Sequence, residues 1–380
     1  MRLRFSPVVL LAATLAACTG DKPADSSQAQ VPAPADMHTS QNSLDWGGVY
    51  EGILACADCP GTHTRLTLGP DGRFELMSRP LVRGATPTNP SGQFTWQPDG
   101  NSIALDEAAG ARRFAVGEGR LILLNSDGSR PDAAGAALTK LAPVQPQTRT
   151  ALAEVLEDHR WTLTSASGAG NQRIDALFPS AERPFVFGFE GARLNVAGGC
   201  NSLRGSYELS GEGQLSVGRL AATMMACEAP LMAADAALSK LLAAPLELVL
   251  VQGPEPTLAM LAASGEVLLL TGQQTLEASY GPGSTVFLEI GPQRLPCDNG
   301  ASPDGLFLQA REIKFDDQGL RVGTPGEFQP FVGLIEGYTH TAGTRNVLRV
   351  KRFQSGGAQG EAAAAVYVLD LVVESATVEQ

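Results

Sequence analysis

Apolar and polar residues alternate in short runs along most of the chain. Between Leu44 and Leu141 the alternation falls at Thr64–Leu68, Arg73–Met77, Gln93–Gln97, Ser102–Leu105, Arg113–Val116 and Arg120–Leu124. A period of two puts successive side chains on opposite faces of a strand. The runs are separated by Pro70-Asp71-Gly72, Pro98-Asp99-Gly100, Glu118-Gly119 and Ser126-Asp127-Gly128. In such turns Gly supplies positive φ and Pro presets the first turn residue. Strands recurring about every 8–12 residues between tight turns predict an antiparallel sheet closed into a small lipocalin-like barrel over residues 46–141.

After a Pro/Gln linker (142–151) the alternation resumes. Strands are expected at Trp161–Thr164, Phe185–Phe189, Arg193–Ala197, Ser206–Leu209, Leu246–Val251, Thr257–Leu261 and Val267–Leu270. One stretch has the helical period instead: Leu231, Ala234, Leu238, Leu241 and Leu242, stopped by Pro245. That apolar face reads as core. The expectation for 152–274 is a β-rich α+β domain with one helix. Residues 276–375 predict a third, small β-rich domain, with strands at Val286–Ile290 and Leu306–Ile313. Asn346–Phe353 and Ala365–Val372 read as its closing hairpin. The fold class is therefore mainly β.

The first 45 residues break the pattern. Arg2 and Arg4 precede an apolar run from Pro7 to Leu15, too short to span a bilayer as a helix, for which about 20 apolar residues are needed. Leu15-Ala16-Ala17-Cys18 ends it and resembles a lipobox. That resemblance implies removal of residues 1–17 and lipidation of Cys18 as the new N-terminus. Thr19 stands where lipoproteins kept in the inner membrane carry Asp, which points to the outer membrane, with the folded part facing the periplasm. Residues 18–45 are polar and Pro-rich with no periodicity. They read as a flexible tether reaching on the order of 30 Å.

The 380 residues carry 28 basic and 40 acidic side chains, a net charge of −12 that deepens once Arg2 and Arg4 are gone. An acidic chain without a Lys/Arg run is not a nucleic-acid binder.

Six cysteines are the main candidates for chemistry: Cys18, Cys56, Cys59, Cys200, Cys227 and Cys297. In an oxidising compartment paired thiols form disulfides, and with Cys18 lipidated the remaining five leave one over. Cys56-Ala57-Asp58-Cys59 lies in a β setting and is followed by Pro60-Gly61, which argues against a thioredoxin-like helix start. A loop this short gains roughly 2 kcal/mol from closure. Three readings stay open for the pair: a local disulfide, a redox-sensing or soft-metal site with His63 as a third ligand, and free thiols. Thiolates select Cu(I) or Zn, so Cu(I) is the candidate cofactor. Met224 and Met225 are soft donors too, but their apolar character favours packing.

Gly48–Gly61, with Thr64–Leu68 and Pro70-Asp71-Gly72, resembles the N-terminal domain of the NlpE/CutF lipoproteins. That family implies a lipidated barrel with a Cys-x-x-Cys, copper homeostasis, and signalling of envelope stress to a sensor kinase. Gly198-Gly199-Cys200-Asn201 and Thr223-Met224-Met225-Ala226-Cys227, with Trp161 and Tyr207, resemble the META domain of HslJ-type envelope proteins. This likeness makes Cys200 and Cys227 the natural structural disulfide, worth roughly 3.5 kcal/mol by loop closure. Asn201 is then a turn or loop-capping residue. Gln309–Glu312, Glu336–His340 and Arg345–Val350 resemble a domain of unknown function that follows META domains. In that pattern a cysteine stands where this chain has Phe307, which leaves Cys297 as the free-thiol candidate.

The expectation is a non-enzymatic outer-membrane lipoprotein of envelope stress or copper homeostasis, acting at Cys56 and Cys59. Its partner would be an envelope stress sensor or another periplasmic protein. The alternative is an envelope assembly factor that binds proteins or peptides through its β domains, its cysteines purely structural. The only acid–base candidates are His340, Glu336 and Arg349, and a hydrogen-bonded structural cluster is the plainer reading of them.

Overall fold

The computed structural model describes residues 38–131, 135–141, 149–211, 213–296, 306–316, 318–331, 333–354 and 365–378. Cys18, with the leader, and Cys297 lie outside the described residues. Those from Thr39 onward form one compact unit, and within it the fold is mainly β, built from three sheets.

The chain enters through a single turn of helix, α1 (Ser40–Ser43). Eight strands then follow in meander order: β1 (Gly48–Leu54), β2 (Thr62–Leu68), β3 (Arg73–Pro80), β4 (Ser91–Trp96), β5 (Ser102–Leu105), β6 (Arg113–Gly117), β7 (Arg120–Leu123) and β8 (Ala137–Lys140). Each pairs antiparallel with the next, and β8 returns to β1, so the sheet closes into a barrel. The Asp-Gly turns fall where the sequence puts them, Gly72 and Gly100 taking φ of 80° and 63°. Tyr50, Leu66, Phe74, Ile103, Phe114, Leu121 and Leu138 fill the interior from alternating positions.

Residues 39–45, expected at the end of a free tether, are bonded to this barrel. Ser40 donates from its backbone N–H to Asn101 at 2.8 Å and from Oγ to the Val116 carbonyl at 2.7 Å. Lys140 Nζ holds Asp45 at 2.8 Å. The Ser/Asn-rich stretch has no apolar face to show this. It docks by satisfying polar groups of the barrel rim.

A helix α2 (Arg149–Glu157) leads into the second sheet. Its strands are β9 (His159–Ser167), β10 (Val186–Glu190), β11 (Arg193–Ala197), β12 (Leu203–Leu209), β13 (Gln214–Val217), β14 (Ala221–Ala222), β15 (Leu246–Val251), β16 (Thr257–Leu261) and β17 (Val267–Gln274), with helix α3 (Ala229–Leu242) between β14 and β15. The order is β11-β10-β9-β17-β16-β15-β13-β12-β14, and a β11–β12 pairing closes an eight-strand barrel with β14 on its margin. The structure thus adds α2 to the single helix expected, and α2 begins inside the expected linker. Leu156 is fully buried in the second core and Leu152 packs against it. From α3 come Ala234, Leu238 and Leu242, all fully buried.

The last sheet follows α4 (Leu276–Tyr280). It comprises β18 (Ser284–Pro296), β19 (Leu306–Phe315), β20 (Arg321–Val322), β21 (Gln329–Phe331), β22 (Ile335–Glu336), β23 (Thr344–Phe353) and β24 (Val366–Thr377). The order is β20-β19-β18-β23-β24-β22, with β21 on β19. β23 and β24 are the expected antiparallel hairpin, and β22 adds to β24 in parallel.

The two barrels pack wall to wall. Leu81 and Ile53 of the first lie against Val249, Ala259, Leu261, Val267 and Leu269 of the second. Arg79 pairs with Glu247 across the junction. Arg83 donates to the Pro245 carbonyl at 2.7 Å, and the Gly84 amide donates to Glu247 at 3.3 Å. No helix among the described residues is long and apolar enough to cross a membrane.

Candidate functional site

The β1–β2 ladder ends at the pair Leu54↔Thr62. The intervening turn holds Cys56 and Cys59 as a disulfide, their Cα atoms 5.2 Å apart. The two cysteines differ in access: Cys56 is half-buried, beside exposed Ala55, Ala57 and Asp58, and Cys59 is buried. Two backbone hydrogen bonds tie the turn to its surroundings. Ala55 donates to Gly135 and the Leu81 amide donates to the Gly61 carbonyl, each at 2.9 Å. Gly61 has no room for a side chain, since a Cβ there would sit 2.5 Å from Cγ2 of Ile53.

His63, the expected third ligand, has a different partner. It lies on β2 between Ile53 on β1 and Arg79 on β3. Its Nε2 donates to Oε1 of Glu51 at 2.7 Å, and Arg65 approaches the other oxygen of Glu51 at 3.4 Å. Glu51 is buried. Tyr50, Leu54 and Leu66 point inward, so Glu51, His63 and Arg65 occupy the outer wall, next to the residues that meet the second barrel. A disulfide presents no thiolate, and among the described residues no group of three or more His, Cys, Asp or Glu side chains is placed to hold a metal ion. The turn in this oxidised state does not fit a copper ion.

Cys200 and Cys227 form the second disulfide, Cα atoms 5.7 Å apart. A buried carboxylate that sequence reasoning missed organises the loops around it. Asp235 on α3 accepts the amides of Cys200 at 3.1 Å and Asn201 at 2.8 Å. Asn201 in turn accepts from the Met225 amide at 2.8 Å and the Thr223 hydroxyl at 2.9 Å. Gly199 permits this approach, because a Cβ there would meet Oδ1 of Asp235 at 1.8 Å. The legible signal was an acid inside Ala-Ala-Asp-Ala-Ala, adjoining the apolar stripe of α3. The packing expected of Met224 and Met225 is not found: they are 100% and 59% exposed. Asn201 holds their backbone rather than apolar neighbours holding their side chains. Tyr207 donates to Glu157 at 3.4 Å, and burial, then the Glu157 charge, pushes its phenol up to about 12.

Family models match the chain in two places: the NlpE N-terminal domain over residues 50–134 and the META domain over residues 154–275. The chain carries an NlpE N-terminal domain followed by a META domain. The Cys56–Cys59 turn thus belongs to the NlpE-type barrel, and Cys200–Cys227 with Asp235 to the META barrel. Among solved structures, a candidate lipoprotein of Shewanella oneidensis is 40% identical over 27% of this chain and 94% of its own, with a TM-score of 0.25. A protein from Burkholderia xenovorans is 22% identical over 39% of this chain and 99% of its own, TM-score 0.30. The Cpx pathway activator NlpE of Escherichia coli is 16% identical over 43% of this chain and 86% of its own, TM-score 0.20. No curated protein matches the chain.

In the third sheet the expected acid–base trio is divided among other partners. His340 donates from Nε2 to the Gly291 carbonyl at 3.0 Å. Arg349 pairs with Asp370, and neither contact includes Glu336. A charged group that the sequence did not reveal is Glu289, 1% exposed. It accepts from Arg311 at 2.8 Å and from Arg345 at 2.6 Å. Burial alone pushes its carboxyl up, but the two guanidinium hydrogen bonds outweigh that and hold it below the ordinary carboxylate range.

Proposed function

We propose that this chain is an envelope lipoprotein that responds to thiol redox conditions through Cys56 and Cys59. The observation that carries the reading is the asymmetry of the turn, a half-buried Cys56 joined to a buried Cys59 across a four-residue loop whose tip, Ala57-Asp58, is exposed. A disulfide in a small surface loop gains little from closure, and one reachable from its Cys56 side is open to thiolate attack, so it belongs to the labile class. Cys200–Cys227 closes a longer loop, is scaffolded by Asp235, and acts structurally.

The NlpE resemblance supports a role in envelope stress or copper homeostasis, and Cys18 is the proposed point of attachment to the outer membrane, facing the periplasm. The partner in this reading is an envelope stress sensor or another periplasmic protein. Cu(I) capture follows reduction, when both sulfurs are available as soft ligands. A Cu(I) competition titration of the reduced whole chain, against Cys56→Ser/Cys59→Ser, tests that branch. The wild type is expected to bind one ion more than the variant, and equal stoichiometry removes the metal role. The reading is non-enzymatic: the only chemistry in it is exchange at the cysteine pair itself.

A second reading, capture of extended segments, is favoured by β24. Beyond Tyr367 and Val368, which pair with β22, its outer edge has no ladder partner among the described residues. Leu371, Val372 and Val373 are 48%, 42% and 40% exposed there. Open strand edges recruit further strands. Val372→Lys is expected to lower binding of an alternating apolar/polar peptide at least tenfold if this reading holds, and to leave it unchanged if not.

A further inference from the structure

We infer that the Cys56–Cys59 disulfide controls how firmly the NlpE-type barrel is docked on the META barrel. The inference rests on the redox reading above and adds a consequence to it.

The physical connection runs through one short strap, Arg79–Gly84, at the end of β3. On its inner side the Leu81 amide is bonded to the carbonyl of Gly61 at 2.9 Å, two residues after Cys59. On its outer side the strap meets the META barrel. The Leu81 side chain is fully buried among Val249, Ala259, Leu261 and Val267. Arg79, Arg83 and Gly84 bond to Glu247 and the Pro245 carbonyl at the start of β15. Ile53, on the other side of the turn, touches the same apolar cluster and fills the space that a Gly61 side chain would need.

The turn itself makes no ladder pairs between Leu54↔Thr62 and its tip. The crosslink therefore acts with the adjoining Thr62 pairs and the Leu81 hydrogen bond in fixing where Gly61 lies, and Gly61 positions Leu81. Segments with few backbone bonds open at low free-energy cost. Removing the crosslink shifts them further toward the open state.

The chemical step is ordinary exchange with a dithiol reductant. Its thiolate attacks the sulfur of Cys56, the more accessible of the two, and the Cys59 thiolate leaves and takes a proton. The reductant's second thiolate then displaces Cys56, which also leaves as a thiol. The reductant departs as a disulfide, having given up two electrons and two protons. The sulfur of Cys59, no longer held to Cys56, restrains Pro60-Gly61 less, and the inner anchor of the strap, the Leu81–Gly61 bond, opens more often.

Amide hydrogen exchange on the whole chain tests this. The Gly84 amide, which donates across the junction, is the reporter, and the amides of Leu194 and Val196 on β11 are controls. Cys56→Ser/Cys59→Ser, with Cys200–Cys227 intact, is expected to speed Gly84 exchange at least tenfold and leave the controls unchanged. Leu81→Ala with the disulfide closed is expected to do the same, because it removes the strap's apolar anchor. Protection of Leu66 and Phe114 in the barrel interior shows that each variant is folded. Should the double-serine barrel lose that protection, wild type opened by dithiothreitol provides the same comparison. Unchanged Gly84 exchange with the turn open overturns the inference. Failure of dithiothreitol to open Cys56–Cys59 in the folded wild type is a different result. It overturns the redox reading, while the serine variant still decides the coupling.

Discussion

Arg79 of the NlpE-type barrel and Glu247 of the META barrel form an ion pair across the junction, both side chains about four-fifths buried. Their sequence separation of 168 residues makes it a tertiary contact with no local signal. In partly buried surroundings such a pair is worth more than a surface one. A double-mutant cycle with Arg79→Ala and Glu247→Ala, read by urea unfolding, is expected to give a coupling of about 1–2 kcal/mol. Additive single effects would mean that the pair does not hold the barrels together.

Asp235→Asn retains the shape of the side chain but leaves one acceptor oxygen where two now serve Cys200 and Asn201. A buried amide left without a partner costs roughly 1–3 kcal/mol. The expected outcomes are a loss of META-barrel stability of that size and faster reduction of Cys200–Cys227, measured by urea unfolding and by mass-resolved thiol trapping.

Gly61→Ala tests the crowding at the redox turn. The new methyl group would lie 2.5 Å from Ile53 Cγ2 and 3.5 Å from Leu81. Overpacking of this kind costs about 1–3 kcal/mol, and the first barrel is expected to unfold at correspondingly lower urea. Gly47→Ala meets only an ordinary contact at 3.8 Å and is the neutral comparison.

Glu289 gives the third sheet a pH dependence whose sign follows from its partners. Its folded pKa lies below the ordinary carboxylate value because Arg311 and Arg345 bond the charged form more than burial penalises it. Its stabilising contribution is therefore full above the unfolded carboxylate pKa and fades as pH falls through that value toward the depressed folded one. Glu289→Gln is expected to flatten this acid limb and to cost about 3–5 kcal/mol at neutral pH by leaving two arginines facing an uncharged amide. Thermal unfolding from neutral to acid pH checks both.

Much of the architecture was legible because period-two alternation and Asp-Gly turns are local. Thr64–Leu68 and Arg73–Met77 became β2 and β3, joined by a left-handed Gly72. Leu231 through Leu242 marked α3 for the same reason, with helical spacing in place of alternation. The docking of Ser40 onto Asn101 and Val116 was not legible, because a short polar segment binds by hydrogen bonds that leave no periodic trace. Nor was the role of Glu51 or Asp235. Each reads as a surface charge until a distant segment supplies its partners: β2 brings His63 to Glu51, and the Gly-Gly-Cys-Asn loop brings two amides to Asp235. At the cysteine turn the sequence offered three chemistries, and only the three-dimensional contrast between half-buried Cys56 and buried Cys59 favours one.

That contrast gives the account its most direct test. The whole chain is equilibrated in buffers of graded dithiothreitol redox ratio, trapped, and read by mass for Cys56/Cys59 and Cys200/Cys227 separately. Cys56–Cys59 is expected to open first, with the first barrel still folded, and to close again when the ratio is reversed. If it stays closed until Cys200–Cys227 has opened or the barrel has unfolded, the turn is a structural crosslink and the redox reading is wrong.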